Sequence, residues 1–164
     1  EFKPEPVDFA AFFKERCQAA WKYCQQPGVK YTIDTPYEDL TLDIDQTNTG
    51  FIIDQIITNA AQHTSSGYVR ARFDYNSEDL TIAVQDTGCG IPADQTERVF
   101  ERFVTTKKNS SGLGLPICQE VVKLMGGRIH LRSEVGKGTI VWVIIPCNIS
   151  NGSQDTGLKF ENKK

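Results

Sequence analysis

The feature that most constrains this chain is a pair of alternating runs joined by a short polar turn. Val69, Ala71, Phe73 and Tyr75 alternate with Tyr68, Arg70, Arg72 and Asp74. After Asn76-Ser77-Glu78-Asp79 the pattern resumes, with Leu80, Ile82 and Val84 set against Thr81, Ala83 and Gln85. Successive strand side chains point to opposite faces, so this is a hairpin with one apolar and one polar face. Such a sheet needs cover on one side only. Three amphipathic stretches can supply that cover. Phe9, Phe13, Cys17, Ala20 and Cys24 recur at three- and four-residue steps over 8–26, with Asp8 placed as an N-cap and Pro27-Gly28 as a stop. Ile52, Ile53, Ile56, Ile57, Ala60 and Ala61 form a second stripe, in a helix opened by Asn48 or Thr49 and ended by Ser65-Ser66-Gly67. Leu115, Cys118, Val121 or Val122, and Met125 form a third, capped by Gly126-Gly127. The predicted class is α+β: a two-layer α/β sandwich, a mixed β-sheet covered on one face by helices.

Val29–Ile33 and Leu40–Ile44 read as short strands. Ile129, Leu131 and Ser133 alternate in another, and Thr139–Ile145 is apolar on both faces, as a central strand would be. Residues 93–111 form a polar segment with a short helical run over Thr96–Phe103. Residues 1–7 read as a lead-in or cloning remnant, 8–147 as one domain, and 148–164 as a polar tail or linker. With 164 residues and a net charge of −3, the chain is large enough for one core and too acidic overall to favour nucleic acid as a partner. No apolar run reaches the ~18 residues of a membrane span, so the chain is expected to make no direct membrane contact. Its five cysteines are odd in number and lack zinc-site spacing, which points to a reducing, cytoplasmic setting.

Three places carry chemistry. Asp86 has the parity of Leu80, Ile82 and Val84, so it faces the apolar side at its strand's carboxyl end, followed by Gly88 and Gly90. An inward carboxylate beside bare backbone suits an amino-bearing heterocycle such as adenine; the plainer alternative is an Asx-type turn. Gln55, Asn59, Gln62 and His63 fall on one side of the Ile-rich helix. They would line a pocket in which the Asn59 carbonyl is open to a hard cation such as Mg²⁺, or they are a solvated face. Ser111-Gly112-Leu113-Gly114-Leu115 runs into a helix, and exposed N–H groups there suit phosphate. Lys107 and Lys108 would add positive charge, unless they are simply solvated on a Gly-rich loop. The spacing is neither a Walker loop nor a Rossmann fingerprint.

Taken in order, these segments resemble the catalytic ATP-binding domain of sensor histidine kinases. That domain has the Bergerat ATP-binding fold, in a superfamily with DNA gyrase, the mismatch-repair ATPases and the ninety-kilodalton heat-shock chaperones. The N box resembles Gln55–Thr64, the first glycine box Asp86–Pro92, the F box Phe100–Phe103 and the second glycine box Gly112–Leu115. The resemblance covers 8–147. It implies Mg-ATP as ligand, with Asn59 on the metal and Asn59 and Gln55 facing the reacting end. Asp86 would accept from the adenine amino group, with Thr139 supporting a bridging water and Gly88, Gly90 and Ile91 flanking the base. Residues 93–111 would be a lid seated by Phe100 and Phe103, and Gly112, Leu113 and Gly114 would contact phosphates through backbone N–H groups.

Two departures shape the expected activity. Hydrolytic members of the superfamily carry a glutamate four residues before the N-box asparagine; here Gln55 has no useful basicity, which argues against an ATPase. Gln62 and His63 stand where the resemblance expects a lysine and an aromatic residue, which removes one phosphate-facing charge. Neither His63 nor His130 is followed by an acid, so the phosphoacceptor is expected on a separate dimerisation hairpin. A response-regulator receiver domain would act downstream, and the parent would be a membrane-anchored or hybrid sensor. The alternatives are a serine or other protein kinase on the same fold, and a degenerate nucleotide-binding scaffold.

Overall fold

The computed structural model describes residues 2–76, 78–96 and 114–150. Seven strands and three helices follow in the order β1 (Glu5–Asp8), α1 (Phe9–Cys24), β2 (Val29–Asp34), β3 (Thr41–Ile44), α2 (Gln46–Gln62), β4 (Gly67–Asn76), β5 (Asp79–Asp86), α3 (Gly114–Leu124), β6 (Arg128–Glu134) and β7 (Gly138–Pro146). A 3-10 turn, Ala93–Gln95, follows β5.

The main sheet has the order β2-β4-β5-β7-β6. The β2–β4 pair is parallel and the other pairs are antiparallel, so the sheet is mixed as predicted. β7 lies between β5 and β6, the inner position its apolar sequence implied. Val69, Ala71 and Phe73 of β4, Leu80, Ile82 and Val84 of β5, and Val141, Val143 and Ile145 of β7 form one buried face. Against it pack Phe9, Phe13 and Cys17 of α1, the four isoleucines of α2, and Cys118 and Val122 of α3. Each of the Phe, Leu, Ile and Val side chains contributes about 1.5–3 kcal/mol on leaving water. The rings of Phe9 and Phe13 meet Phe73 edge-on at 4.9 and 5.1 Å, which fixes α1 over one end of β4. All five cysteines are free. Burial pushes the Cys17, Cys118 and Cys147 thiols up to about 12, so these three behave as packing groups rather than nucleophiles.

Three boundaries differ from the sequence reading. Part of the expected lead-in is structural: β1 pairs antiparallel with β3, and Val7 is buried. Helix α2 starts before Asn48, because Asp45 caps it by accepting the Asn48 N–H at 2.9 Å. It ends at Gln62, with His63 as its C-cap. The first residues of the expected tail also belong to the fold. Asn148 and Ser150 exchange backbone hydrogen bonds with Asp43 and Thr41, and Ser150 is buried.

Candidate functional site

The C-terminal end of β5 is where the chain gathers its polar groups. Asp86 completes the inward parity of that strand and is only 3% exposed. Its Oδ1 accepts the Gly88 N–H at 2.9 Å. Burial pushes the Asp86 carboxyl above the usual carboxylate range, opposed by the Gly88 N–H, the nearby His63, the Thr139 backbone N–H and the Thr64 hydroxyl. The carboxylate therefore retains acceptor capacity for a donor arriving from solvent.

The glycines beside it are required by close approach. A Cβ on Gly88 would lie 1.9 Å from the His63 carbonyl oxygen, which also accepts the Cys89 N–H at 3.0 Å. Gly90 has φ +79°, and a Cβ there would meet the Glu134 carbonyl at 2.2 Å. The loop 86–90 is thus clamped between the C-cap of α2 and the β6–β7 turn, to which Cys89 is also tied by the Gly136 N–H at 3.0 Å.

On the far side, Thr139 pairs with Asp86 across the β5–β7 ladder. Its Oγ1 lies 2.7 Å from Ser133 Oγ. Ser133 accepts the Ile91 N–H at 2.7 Å and donates to the Gly138 carbonyl at 3.1 Å. With Ser133's single proton so used, Thr139 is the donor between the two hydroxyls, and its lone pairs stay open. Ile91 is buried against this corner.

Helix α2 brings in the second group. Asn59 and Gln55 are half-buried and one turn apart on the same side. The Asn59 side chain makes no hydrogen bond among the described residues; its backbone carbonyl takes a hydrogen bond with His63 Nδ1 at 2.8 Å. Gln55 Oε1 lies 2.8 Å from the position of a Cβ on Gly114, so α2's polar side meets the first turn of α3. Gln62 is exposed to solvent. The structure therefore brings together Gln55, Asn59 and Gly114 at one end, and His63, Asp86, Gly88, Gly90, Ile91 and Thr139 at the other. Phe100, Phe103, Lys107, Lys108, Gly112 and Leu113 lie outside the described residues, as does most of the expected lid.

Two site residues received no role from the sequence. Thr64 donates to the Ala60 carbonyl at 2.8 Å and contacts Asp86. Ser133 joins Ile91 to Thr139. Ser133 had a signal, a polar residue at an inward strand position; Thr64 had none beyond following the N-box helix.

A two-layer sandwich with an acceptor-lined strand end facing the polar side of one helix and the N-terminus of another is a nucleotide-binding domain. The family described as histidine kinase-, DNA gyrase B-, and HSP90-like ATPase matches residues 44–149, and the chain belongs to it. The sensor histidine kinase WalK of Bacillus subtilis is 38% identical over 131 residues, covering 74% of this chain and 21% of that protein. The alginate biosynthesis sensor protein KinB of Pseudomonas aeruginosa is 39% identical over 110 residues, covering 64% and 18%. Among solved structures, full-length ShkA in complex with AMPPNP superposes with a TM-score of 0.83 at 25% identity, over 92% of this chain and 32% of that one. The domain is thus of the histidine-kinase type within its family, and ATP is its ligand. The chain spans about a fifth of the length of these two curated relatives. No helix among the described residues is long and apolar enough to cross a membrane.

Proposed function

We propose that this chain binds Mg-ATP and presents the γ-phosphoryl group to a histidine on a separate helical hairpin of its parent protein, in two-component signalling. The observation that carries this reading is the buried Asp86 carboxylate, held by Gly88 and facing the corner where Thr139 and Ile91 meet. A nucleotide seated there would donate a hydrogen bond from its adenine amino group to Asp86, and its phosphates would run toward Asn59, Gln55 and the start of α3.

The donor set fits a magnesium ion only in part, and in the expected way. Asn59 offers one hard, uncommitted amide oxygen, and no group of three or more acidic, His or Cys side chains that could hold a metal exists among the described residues. Mg²⁺ keeps several waters and relies on substrate phosphates, so one protein oxygen suffices. When bound, the ion would neutralise charge on the phosphates. The chain's own residues position the base and phosphates and exclude water from the base. Gln55 stands at the place of a water-activating base and cannot act as one, so ATP is held for an external nucleophile. In the transfer, the acceptor imidazole nitrogen forms the N–P bond as the bond from the γ-phosphorus to the bridging oxygen breaks and ADP leaves.

Incubating the chain with labelled ATP, with and without a dimerisation hairpin from the parent, tests this. Acid-labile label on the hairpin, with none on His63 or His130 and little free phosphate, is the expected result. Acid-stable label on an added protein substrate would indicate a serine kinase, and rapid hydrolysis by the chain alone would place it with the ATPases.

A further inference from the structure

The face of the main sheet opposite the helices follows a charge pattern that the nucleotide site does not use. The strand registers lay its side chains out in rows. Arg70, Gln85, Ile140 and Arg132 form one row, and Arg72, Ala83, Trp142 and His130 the next. Asp74, Thr81, Ile144 and Arg128 form a third. Along β7 the face is therefore apolar: Ile140, Trp142 and Ile144 are half-buried with no element over them among the described residues, and Ala83 beside Trp142 is buried. To either side stand arginines, Arg70 and Arg72 on β4 and Arg128 and Arg132 on β6, all exposed. None of the four has a carboxylate partner among the described residues. Arg132 lies over the Trp142 ring at 5.6 Å and Arg70 over Tyr68 at 4.8 Å. The acids on this face are peripheral: Asp34 at the edge of the sheet, Asp74, which already accepts the Tyr37 hydroxyl at 2.7 Å, Asp79 at the start of β5, and Glu134 at the end of β6, which pairs with Lys137 at 3.6 Å.

We infer that this face docks an acidic amphipathic helix of a partner protein or domain, its apolar stripe on Ile140, Trp142 and Ile144 and its flanking carboxylates on the two arginine rows. The dimensions fit. β4 and β6 are three strand spacings apart, about 14 Å, and a helix with its side chains is about 10–12 Å across. The apolar run from 140 to 144 is about 13 Å long, which matches roughly nine helical residues. The charge rows also select among occupants. A second copy of this chain would bring arginines against arginines. A nucleic acid would meet the positive rows on a chain whose net charge is −3, with an apolar strip between them where phosphates gain nothing. The inference is independent of the nucleotide reading, because these residues lie on the opposite face from Asp86 and α2.

The test uses labelled synthetic helices of about 14 residues with a leucine stripe, flanked on both sides either by Glu or by Lys. A third peptide keeps the Glu flanks and replaces leucine with serine. Binding is read by anisotropy, and by Trp142 emission in a Trp21→Phe background that leaves one indole. The expected result is saturable binding of the Glu–Leu peptide alone, a blue shift of Trp142, and weakening by added salt. The double variant Arg70→Glu, Arg132→Glu should weaken the peptide by about tenfold or more while binding Mg-ATP like the parent, which shows that it is folded. If charge reversal disturbs folding, Arg70→Gln with Arg132→Gln should still give a smaller loss. Equal binding of the Glu- and Lys-flanked peptides, no binding of any, or indifference to the arginine variants would overturn the inference. Tighter binding of a single-stranded oligonucleotide, or concentration-dependent dimerisation that buries Trp142, would overturn it in favour of those occupants.

Discussion

The two ends of the nucleotide site are built differently. The base end is a finished network. Asp86 is held by Gly88, the loop is tied to α2 by Cys89 and to the β6–β7 turn by Gly136, and Ile91 is fixed through Ser133 to Thr139. Among the described residues, the phosphate end shows no such ties: Asn59 has no side-chain hydrogen bond, and Gln55 and Gly114 only meet. On the proposed reading, the base end would therefore set which nucleotide enters, through donors and acceptors already in place. The Asn59 side chain would gain its partners from the bound phosphates and metal, so binding energy would be spent where the group to be transferred lies.

The largest effect should come from breaking the base end at its closest contact. Gly88→Ala places a methyl against the His63 carbonyl, backbone against backbone, so neither side can give way cheaply. We expect a loss of roughly 1–3 kcal/mol in stability and no measurable ATP binding, read by thermal melts with and without nucleotide.

Acid should separate the two ends next. Because burial raises the Asp86 carboxyl, the empty domain loses stability as pH rises through that value, where the buried group must ionise. Adenine needs the ionised acceptor, so nucleotide affinity is lost as pH falls through the same value. Stability and affinity should thus run in opposite directions in a window above the ordinary ~3.9 of aspartate. Titrating ATP and adenosine across this range checks it; parallel loss of both quantities toward acid would contradict it.

Ser133→Ala should have a smaller effect. It leaves the Ile91 N–H without its acceptor and frees Thr139, which should cost about 1 kcal/mol and weaken adenosine several-fold, measured by calorimetry. Least of all, Arg16→Ala removes a two-point ion pair with Asp54 whose side chains are 41% and 36% exposed. The cost should stay below ~1 kcal/mol, with ATP affinity unchanged.

The sequence revealed this site unevenly, for physical reasons. Period-two alternation placed Asp86 inward because each residue of a strand inherits its direction from its neighbours. The Ile stripe placed Asn59 and Gln55 on α2's other side in the same way. By contrast β1 was hidden by Pro4 and Pro6, yet an edge strand with one partner tolerates a proline in its ladder. Asp45 was passed over because apolar spacing marks where a helix is buried, not where its cap lies. Asn148–Ser150 join β3 through backbone groups, which side-chain polarity does not encode. Thr64 and Ser133 act through partners brought from other segments by the fold, so their hydroxyls had no local pattern to show what they would touch.

The division between the two ends is tested most directly by calorimetric titration of adenosine and of Mg-ATP into the parent, Asp86→Asn and Asn59→Ala. Asp86→Asn exchanges an acceptor for a donor and should weaken both ligands by about tenfold to a hundredfold. Asn59→Ala keeps the backbone carbonyl that holds His63 and should weaken Mg-ATP by a similar factor while leaving adenosine unchanged. Equal losses of both ligands in Asn59→Ala, or parent-like binding of adenosine in Asp86→Asn, would contradict this placement of base and phosphates.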